Sequence, residues 1–147
     1  MRIPVLVVLA GLVLTYELPG AAADCPGAVT AAVQKAHPGA TVSSCKKEDE
    51  HGKQQYEVKL TAKDGQKLEL DVDPEGAILQ TEEYVAVSQV PPAVMAAFGA
   101  KYAGAKPTRA EKQTRADGTI SYELAFTSGG KKKESTFNAD GKFVEEE

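Results

Sequence analysis

The sequence predicts an α+β fold of two tandem α-β-β-β-β units, each a helix packed on a four-stranded antiparallel sheet. Three observations lead to this prediction. Residues 26–83 recur position for position in residues 91–147, at a spacing of about 65 residues, which marks an internal repeat. Each copy opens with a helical apolar period and then changes to the two-residue period of half-buried strands. Turns that contain glycine separate those strands.

The N-terminal 23 residues are expected to precede the folded part. Arg2 is followed by an apolar run over residues 3–14 and then by small residues that end at Ala23. This pattern is typical of a secretory signal peptide cleaved after Ala23, and the run is shorter than the about 20 apolar residues that span a bilayer. We therefore expect a periplasmic or secreted protein that is not membrane-embedded.

One short amphipathic helix opens each copy. Pro26 suits the first helical turn, where its missing N–H is no loss, and Val29 and Val33 then recur on one face. The second copy repeats this arrangement between Pro91 and Gly104. Each helix therefore has one apolar face to bury against a sheet.

The strands follow each helix. In the first copy Tyr56, Val58 and Leu60 alternate with polar residues, and the same period returns over residues 68–73. Hairpin turns are indicated at Asp64-Gly65, Glu75-Gly76, Asp117-Gly118, Ser128-Gly129-Gly130 and Asp140-Gly141. An antiparallel sheet that is covered by a helix on one face leaves its other, polar face to water. We expect that polar face to be the main exposed feature.

The predicted organisation has four segments. They are a signal peptide over residues 1–23, a first repeat over 24–83, a linker over 84–90 and a second repeat over 91–147. The linker lacks a Gly or Ser run, and its Tyr84, Val85 and Val87 indicate a packed or paired segment. The two units are therefore expected to keep a fixed arrangement.

The two cysteines, Cys25 and Cys45, both fall in the exported part of the first repeat. An exported protein meets an oxidising compartment, so we predict a disulfide that ties the start of the first helix to the first strand. Such a bridge adds roughly 3 kcal/mol by loop closure. Asp24 stands where lipid attachment to Cys25 would require a small uncharged residue. The second copy has Ala110 in place of Cys45, so the bridge belongs to one repeat.

The formal net charge of −4 argues against a nucleic-acid partner. The exported length of roughly 120 residues is enough for one ordinary domain or for two small ones that share a core. The absence of tryptophan predicts modest cores. We expect a monomer.

Turn and core residues shared by the two copies carry a family resemblance. In the first copy they are Pro38-Gly39-Ala40, Tyr56-Glu57-Val58, Asp71-Val72-Asp73 and Gly76, and in the second Tyr102, Gly104-Ala105, Tyr122-Glu123-Leu124, Phe137, Asp140 and Gly141. With the signal peptide, this combination resembles the PepSY-like family, also described as beta-lactamase-inhibitor-like. The resemblance implies exported proteins that bind or inhibit other proteins, such as peptidases, through the open sheet face. It implies no catalytic residues.

One segment departs from the family pattern. In the third strand of the second copy, Lys131-Lys132-Lys133 and Ser135 stand where the first copy has the apolar alternation of Leu68 and Leu70. A strand without that alternation has less apolar surface to bury. The departure therefore bears on the integrity of the second sheet.

Metal, cofactor and catalytic chemistry find little support in the sequence. The candidate metal ligands Asp71, Asp73, Glu75 and Glu82 have spacing similar to that of a calcium loop. However, a strand precedes them in place of a helix and Pro74 lies inside the loop, so we expect a hairpin turn and no metal or cofactor. His37 and His51 lack Cys or His at ligand spacing, and no glycine-flanked nucleophile lies beside them. The protein is not expected to be an enzyme.

Two hypotheses of function remain. The first is an exported protein-binding module, with inhibition of a peptidase or another envelope enzyme as one form of it, that uses the polar sheet face. Its partner-binding residues would be Gln55, Glu57, Lys59, Glu69, Glu123 and Thr127. Binding sites usually centre on exposed aromatics, whereas the tyrosines here mostly fall on the buried strand positions. The alternative is an envelope small-ligand or calcium sensor that uses the acidic turns at Asp71, Asp73 and Asp140.

Overall fold

The structure is a computed structural model that describes residues 25–50 and 52–147. Its architecture is α+β, with two helices and one eight-stranded antiparallel sheet. The predicted signal peptide over residues 1–23 lies outside the described residues, and so does His51. The elements are α1 (Gly27–Ala36), β1 (Thr41–Glu50), β2 (Lys53–Thr61), β3 (Lys67–Val72), β4 (Ile78–Val85), a 3₁₀ turn (Val87–Gln89), α2 (Pro92–Lys101), β5 (Arg109–Arg115), β6 (Ile120–Ser128), β7 (Lys131–Asn138) and β8 (Phe143–Glu146). We call α1 with β1–β4 the first half and α2 with β5–β8 the second half.

The strands form a single eight-stranded sheet in the order β1 to β8, where the sequence predicts a four-stranded sheet for each unit. The two halves join where β4 pairs antiparallel with β5, from Gln80 opposite Arg115 to Val85 opposite Ala110. We call this pairing the seam. Tyr84, expected in the linker, is thus a strand residue. The physical reason is that an edge strand exposes unpaired N–H and C=O groups, which the two halves satisfy by pairing with each other.

Each half buries an apolar layer between its helix and the sheet. In the first half Val29 and Val33 of α1 are fully buried against a set of aliphatic side chains. That set is Val58, Leu60, Leu68, Leu70 and Val72. In the second half Val94 and Phe98 of α2 pack on Leu124, Phe126 and Phe137. Both helices pack on the apolar face of the sheet. The polar face opposite them is left open.

The predicted disulfide between Cys25 and Cys45 is confirmed, with the two Cα atoms 5.7 Å apart. Cys45 lies in β1 opposite Val58, so the bridge ties Cys25, two residues before the start of α1, to the edge strand. In the second half Ala110 takes the corresponding position opposite Leu124. The covalent tie is therefore present in one half only.

The departure in the third strand of the second copy does not interrupt the sheet. β7 pairs with β6 along its whole length, from Lys131 opposite Ser128 to Asn138 opposite Ser121. Lys133 reaches Glu146 of β8, with its Nζ 2.5 Å from a carboxylate oxygen. In the pairing of the strands, Phe126 takes the position of Leu60, and Ser135 takes the position of Leu70.

One glycine in each half lies where its hairpin presses on a helix. Gly76 and Gly141 have φ of +92° and +90°. A Cβ atom would come within 2.8 Å of the Ala28 carbonyl oxygen at Gly76, and within 2.7 Å of the Ala93 oxygen at Gly141. Only glycine tolerates both this backbone conformation and this approach. The two hairpins thus fix the position of each helix on the sheet.

Candidate functional site

The face opposite the helices curves around an open concavity of about 700 Å³, lined by residues of all eight strands. A flat sheet of this size would hold its edges about 34 Å apart, since neighbouring strands lie about 4.8 Å apart. Here burial raises the pKa of Glu147, which follows β8, and the charges of Glu145 and of Glu50 in β1 add to this shift, so the two edges of the sheet approach each other. We call this surface the concave face.

Carboxylates dominate the lining of the concave face. They are Glu48, Glu50, Glu57, Glu69, Asp71, Glu82, Glu111, Glu123, Glu134, Glu145 and Glu147, against the four cations Lys53, Lys59, Arg109 and Arg115. This excess is much larger than the formal net charge of −4 for the whole chain suggests. The negative charge of the protein is therefore concentrated on one surface.

Most of the residues predicted to bind a partner lie on this surface. Those that line the concave face are Gln55, Glu57, Lys59, Glu69 and Glu123. Thr127 is exposed near the end of β6 and lies outside the concavity. The strand alternation thus brings together five of the six residues, from β2, β3 and β6.

Lys59 organises the first half of the concave face. Its Nζ lies 2.9 Å from Glu69 and 3.4 Å from Glu57. Burial disfavours the charge of Lys59, but the hydrogen bond and charge of Glu69 outweigh it and hold the lysine pKa above its ordinary value. The Tyr84 hydroxyl also donates a hydrogen bond to Glu69. The buried Glu69 is therefore held by two donors.

The amide of Gln113 bridges the seam. Its Nε2 donates to Glu82 of β4 and to Glu123 of β6, both at 3.3 Å. Its Oε1 accepts a hydrogen bond of 2.9 Å from the Ser121 hydroxyl. Because Gln113 is buried and bonded at both ends, it holds two carboxylates at fixed positions on opposite sides of β5.

Four carboxyls meet at the middle of the concave face, and we call Asp71, Glu82, Glu111 and Glu123 the central carboxyls. Burial, helped by a hydrogen bond with Glu82, raises the pKa of Glu111 to about 8, although Arg109 lies 3.0 Å away and opposes the shift. Burial and the charge of Glu82 raise the pKa of Asp71 to about 7. Burial and the charge of Glu134 raise the pKa of Glu123 to about 7. Some of these carboxyls therefore hold protons near neutral pH.

The predicted metal candidates do not converge on one point. Asp71 and Glu82 lie on the concave face, whereas Asp73 and Glu75 belong to the turn between β3 and β4. Asp73 closes that turn, since its Oδ1 accepts the Ala77 N–H at 2.7 Å. Within the part of the chain that the structure describes, no group of three or more His, Cys, Asp or Glu side chains could hold a metal ion.

The residues at the seam were not among the predicted site residues. Arg109, Glu111 and Gln113 are central to the concave face, but they come together with Glu82 only because β4 pairs with β5. The signal in the sequence was the run of polar and charged residues over 109–115, in which Ala110 is the one apolar residue. Tyr84 was missed for the same reason. Its side chain is 40% exposed on this face. The guanidinium of Arg109 lies 5.9 Å from the centre of its ring.

The helices in the described ranges 25–50 and 52–147 include none that is both long and apolar enough to cross a membrane. Both helices are short, and each lies flat on the sheet through one apolar face.

Two helices on one side of a curved antiparallel sheet, with the other side open and polar, define an α+β protein built around a sheet platform. The chain belongs to the family described as "Putative beta-lactamase-inhibitor-like, PepSY-like", whose model matches residues 54–145. A second model, described as "Peptidase propeptide and YPEB domain", matches residues 27–79. These matches confirm the family that the shared turn and core residues resemble.

Solved structures share the fold. A protein of Bacteroides eggerthii described as a "putative periplasmic" protein is 15% identical, with a TM-score of 0.65 and 84% of this chain and 88% of that chain covered. A protein of Bacteroides fragilis described as BLIP-like is 24% identical, with a TM-score of 0.59 and 84% and 86% covered. Among curated proteins, none matches the chain. At these identities the comparison with solved structures establishes the fold.

Proposed function

We propose that this protein is an exported, non-enzymatic binding module that holds a protein partner in its concave face and thereby inhibits an envelope enzyme such as a peptidase. The observation that carries the proposal is the concave face itself, a sheet face of eight strands with no helix or loop of the described chain packed over it. A folded protein can present a loop large enough to fill a concavity of about 700 Å³.

The composition of the face supports a protein partner. Its rim carries the exposed ring of Tyr84, and tyrosine is enriched among the residues that contribute most to protein interfaces. Its floor is preorganised, because Lys59 and Gln113 already hold the neighbouring carboxylates in place. A preorganised surface loses little side-chain entropy on binding. The family name, beta-lactamase-inhibitor-like, is consistent with such a role.

Export, cleavage after Ala23 and a monomeric state complete the proposal. The disulfide between Cys25 and Cys45 supports an oxidising compartment, and the B. eggerthii protein of the same fold is described as periplasmic. We also propose that residues 24–83 and 91–147 arose as two copies of one unit, joined by residues 84–90. Mass measurement of the protein from an envelope extract tests the cleavage site.

Site-specific photo-crosslinking tests the binding function. A benzophenone amino acid placed at Lys53 or Arg115, both on the concave face, is expected to capture one envelope protein. The same probe at Lys35, exposed on α1, is the matched control and should capture nothing specific. Capture from Lys35 alone, or from none of the positions, would show that the concave face is not the binding surface.

Enzyme assays test the inhibition. The captured protein is assayed with and without the purified, oxidised module, alongside a panel of peptidases and β-lactamases. We expect loss of activity of the captured enzyme at a stoichiometric amount of the module. Undiminished activity of a captured enzyme would leave a binding module that is not an inhibitor.

A further inference from the structure

We infer that the partner enters the concave face with a cationic loop, whose arginine or lysine side chains reach the central carboxyls. This inference rests on the proposed function and names the chemistry of the partner. Charge complementarity supports it, because the concave face carries eleven carboxyls against four cations, and the other carboxyls still outnumber the cations when Asp71, Glu111 and Glu123 are protonated. An unpartnered surface with that excess attracts positive charge and repels negative charge.

The cations of the concave face do not neutralise this excess. Lys59 is paired with Glu57 and Glu69. Arg109 is shared among Glu111, Glu123 and Glu134, at 3.0, 3.8 and 2.6 Å. One guanidinium thus forms ion pairs with three carboxylates. A guanidinium forms its strongest bonds when it pairs with a single carboxylate. The second half of the face therefore has carboxylate oxygens that an incoming cation can bond.

The central carboxyls come from both halves and lie on neighbouring strands. Asp71 of β3 and Glu123 of β6 both interact with Glu82 of β4, which lies between them. Their burial strengthens the interaction with any cation that displaces water from the concavity, because charges interact more strongly where the dielectric is low. A compact acidic loop would instead meet like charge at every strand of this face.

The shape of the surface favours a loop over a flat partner. The edge strands β1 and β8 both contribute carboxylates to the same concavity, through Glu48 and Glu145. A side chain that enters between the edges is therefore surrounded by negative charge on three sides. A convex loop with basic side chains at its tip satisfies this geometry, whereas a flat surface would reach only the rim.

The test uses a cyclic peptide that presents three arginines at its tip, and the same peptide with three citrullines, which keep the shape and lose the charge. Binding to the full oxidised protein is measured by calorimetry at about pH 9, above the raised pKa values of Asp71, Glu111 and Glu123, and at about 50 mM and about 300 mM NaCl. We expect the arginine peptide to bind at least about tenfold more tightly than the citrulline peptide at low salt. Equal affinities would overturn the inference.

A matched pair of variants locates the binding. The double variant D71N/E123Q removes two charges from the central carboxyls, and D64N/E75Q removes two from exposed turns away from the concave face. We expect D71N/E123Q to weaken the arginine peptide by about tenfold and D64N/E75Q to leave it within about twofold. An equal loss in both variants would mean a diffuse charge effect and would contradict the inference. Circular dichroism checks that both variants are folded.

The crosslinking experiment separates this inference from the proposed function. If the partner captured from Lys53 or Arg115 is captured equally well in D71N/E123Q and at high salt, the concave face binds a protein but not through cations, and only the inference fails. If the arginine peptide binds and no protein is captured from the face, the proposed function fails. Loss of capture in D71N/E123Q, with retention in D64N/E75Q, supports both.

Discussion

The two halves of the molecule support the same layer of helix on sheet with different side chains. The first half buries small aliphatic residues such as Val33 and Leu60 and adds the disulfide between Cys25 and Cys45. The second half has Phe98 and Phe126 in the corresponding places and has no disulfide. Aromatic burial and a covalent tie are thus alternative ways to stabilise one architecture.

The aromatic side chains of the second half form a connected cluster. Phe98 lies edge-on to Phe126, with ring centres 5.0 Å apart, and Tyr102 lies 4.4 Å from Phe126. Such pairs add roughly 0.5–1.5 kcal/mol beyond the area that they bury. They compensate for Ser135, which is buried in β7 close to the Tyr102 hydroxyl without a well-formed hydrogen bond of its own. The second half can therefore do without the leucine that the first half has at this position.

The largest expected effect comes from truncating the centre of the aromatic cluster. Phe98→Ala should lower the free energy of unfolding by about 4 kcal/mol, because a buried phenylalanine leaves a large cavity. The matched variant Val33→Ala in the first half should lose about 2 kcal/mol. Urea denaturation of both variants with the disulfide intact measures the difference. Equal losses would mean that the two cores contribute alike.

Removal of the disulfide should have the next largest effect. Cys25→Ser with Cys45→Ser opens a loop of 20 residues. The expected loss of stability is about 3 kcal/mol. Hydrogen exchange should accelerate in α1 and β1 more than in α2 and β5, since only the first half is tied. Uniform acceleration across both halves would show that the bridge acts on the whole sheet.

The hairpin glycines test what the halves have in common. Gly76→Ala and Gly141→Ala should each lose about 2–4 kcal/mol, from the positive φ and from the clash with a helix carbonyl. Gly65→Ala is the matched control, since Gly65 has φ of +91° and nothing lies within 4 Å of its Cβ position. It should lose about 1 kcal/mol. If all three variants lose the same amount in thermal or urea unfolding, the contact with the helix carries no energy.

The smallest expected effect is a dependence of stability on pH. A carboxyl whose pKa is raised in the folded state binds its proton more tightly there than in the unfolded state. Its contribution to the free energy of unfolding is therefore complete below the unfolded pKa of about 4 and is lost as the pH rises. For Asp71 and Glu123 the loss extends from about pH 4 to about pH 7, and for Glu111 to about pH 8, above which stability no longer depends on these groups. The Tm should therefore fall by roughly 5 °C between about pH 5.5 and about pH 8.5.

Single variants assign this pH dependence to a half. Glu111→Gln, in the second half, should flatten the dependence of Tm on pH more than Asp71→Asn, in the first half, because the pKa of Glu111 is raised further. Differential scanning fluorimetry across the pH range measures both slopes. A Tm that rises toward alkaline pH in the unmodified protein would contradict the assignment.

Local patterns in the sequence carry much of this fold. The helices, the half-buried strands and the hairpin turns follow from apolar periods and glycine positions within a few residues of each other. The disulfide follows from the presence of only two cysteines and from the expectation of export that the N-terminal pattern gives. The pairing of β4 with β5 could not be predicted in this way, because it depends on two strand edges separated by α2 finding each other.

The candidate site was predictable to the same extent. Glu57, Lys59 and Glu69 face the concavity because strand alternation places them there. Glu111 and Gln113 alternate in the same way, but their role depends on the seam and on the curvature of the whole sheet. Curvature arises from the twist of eight strands together, which no single segment encodes.

The strand order also bears on how the chain reaches its native state. Every strand pairs with a strand that is next to it in the chain, so seven contacts between strands form without threading one part of the molecule past another. Six of these join strands through short hairpin turns, and the seam alone must close a longer loop, from Val85 to Arg109. Low contact order favours rapid folding. The first half can therefore fold before the second half. The unpaired edge of its β4 strand is then available for pairing with β5 of the second half.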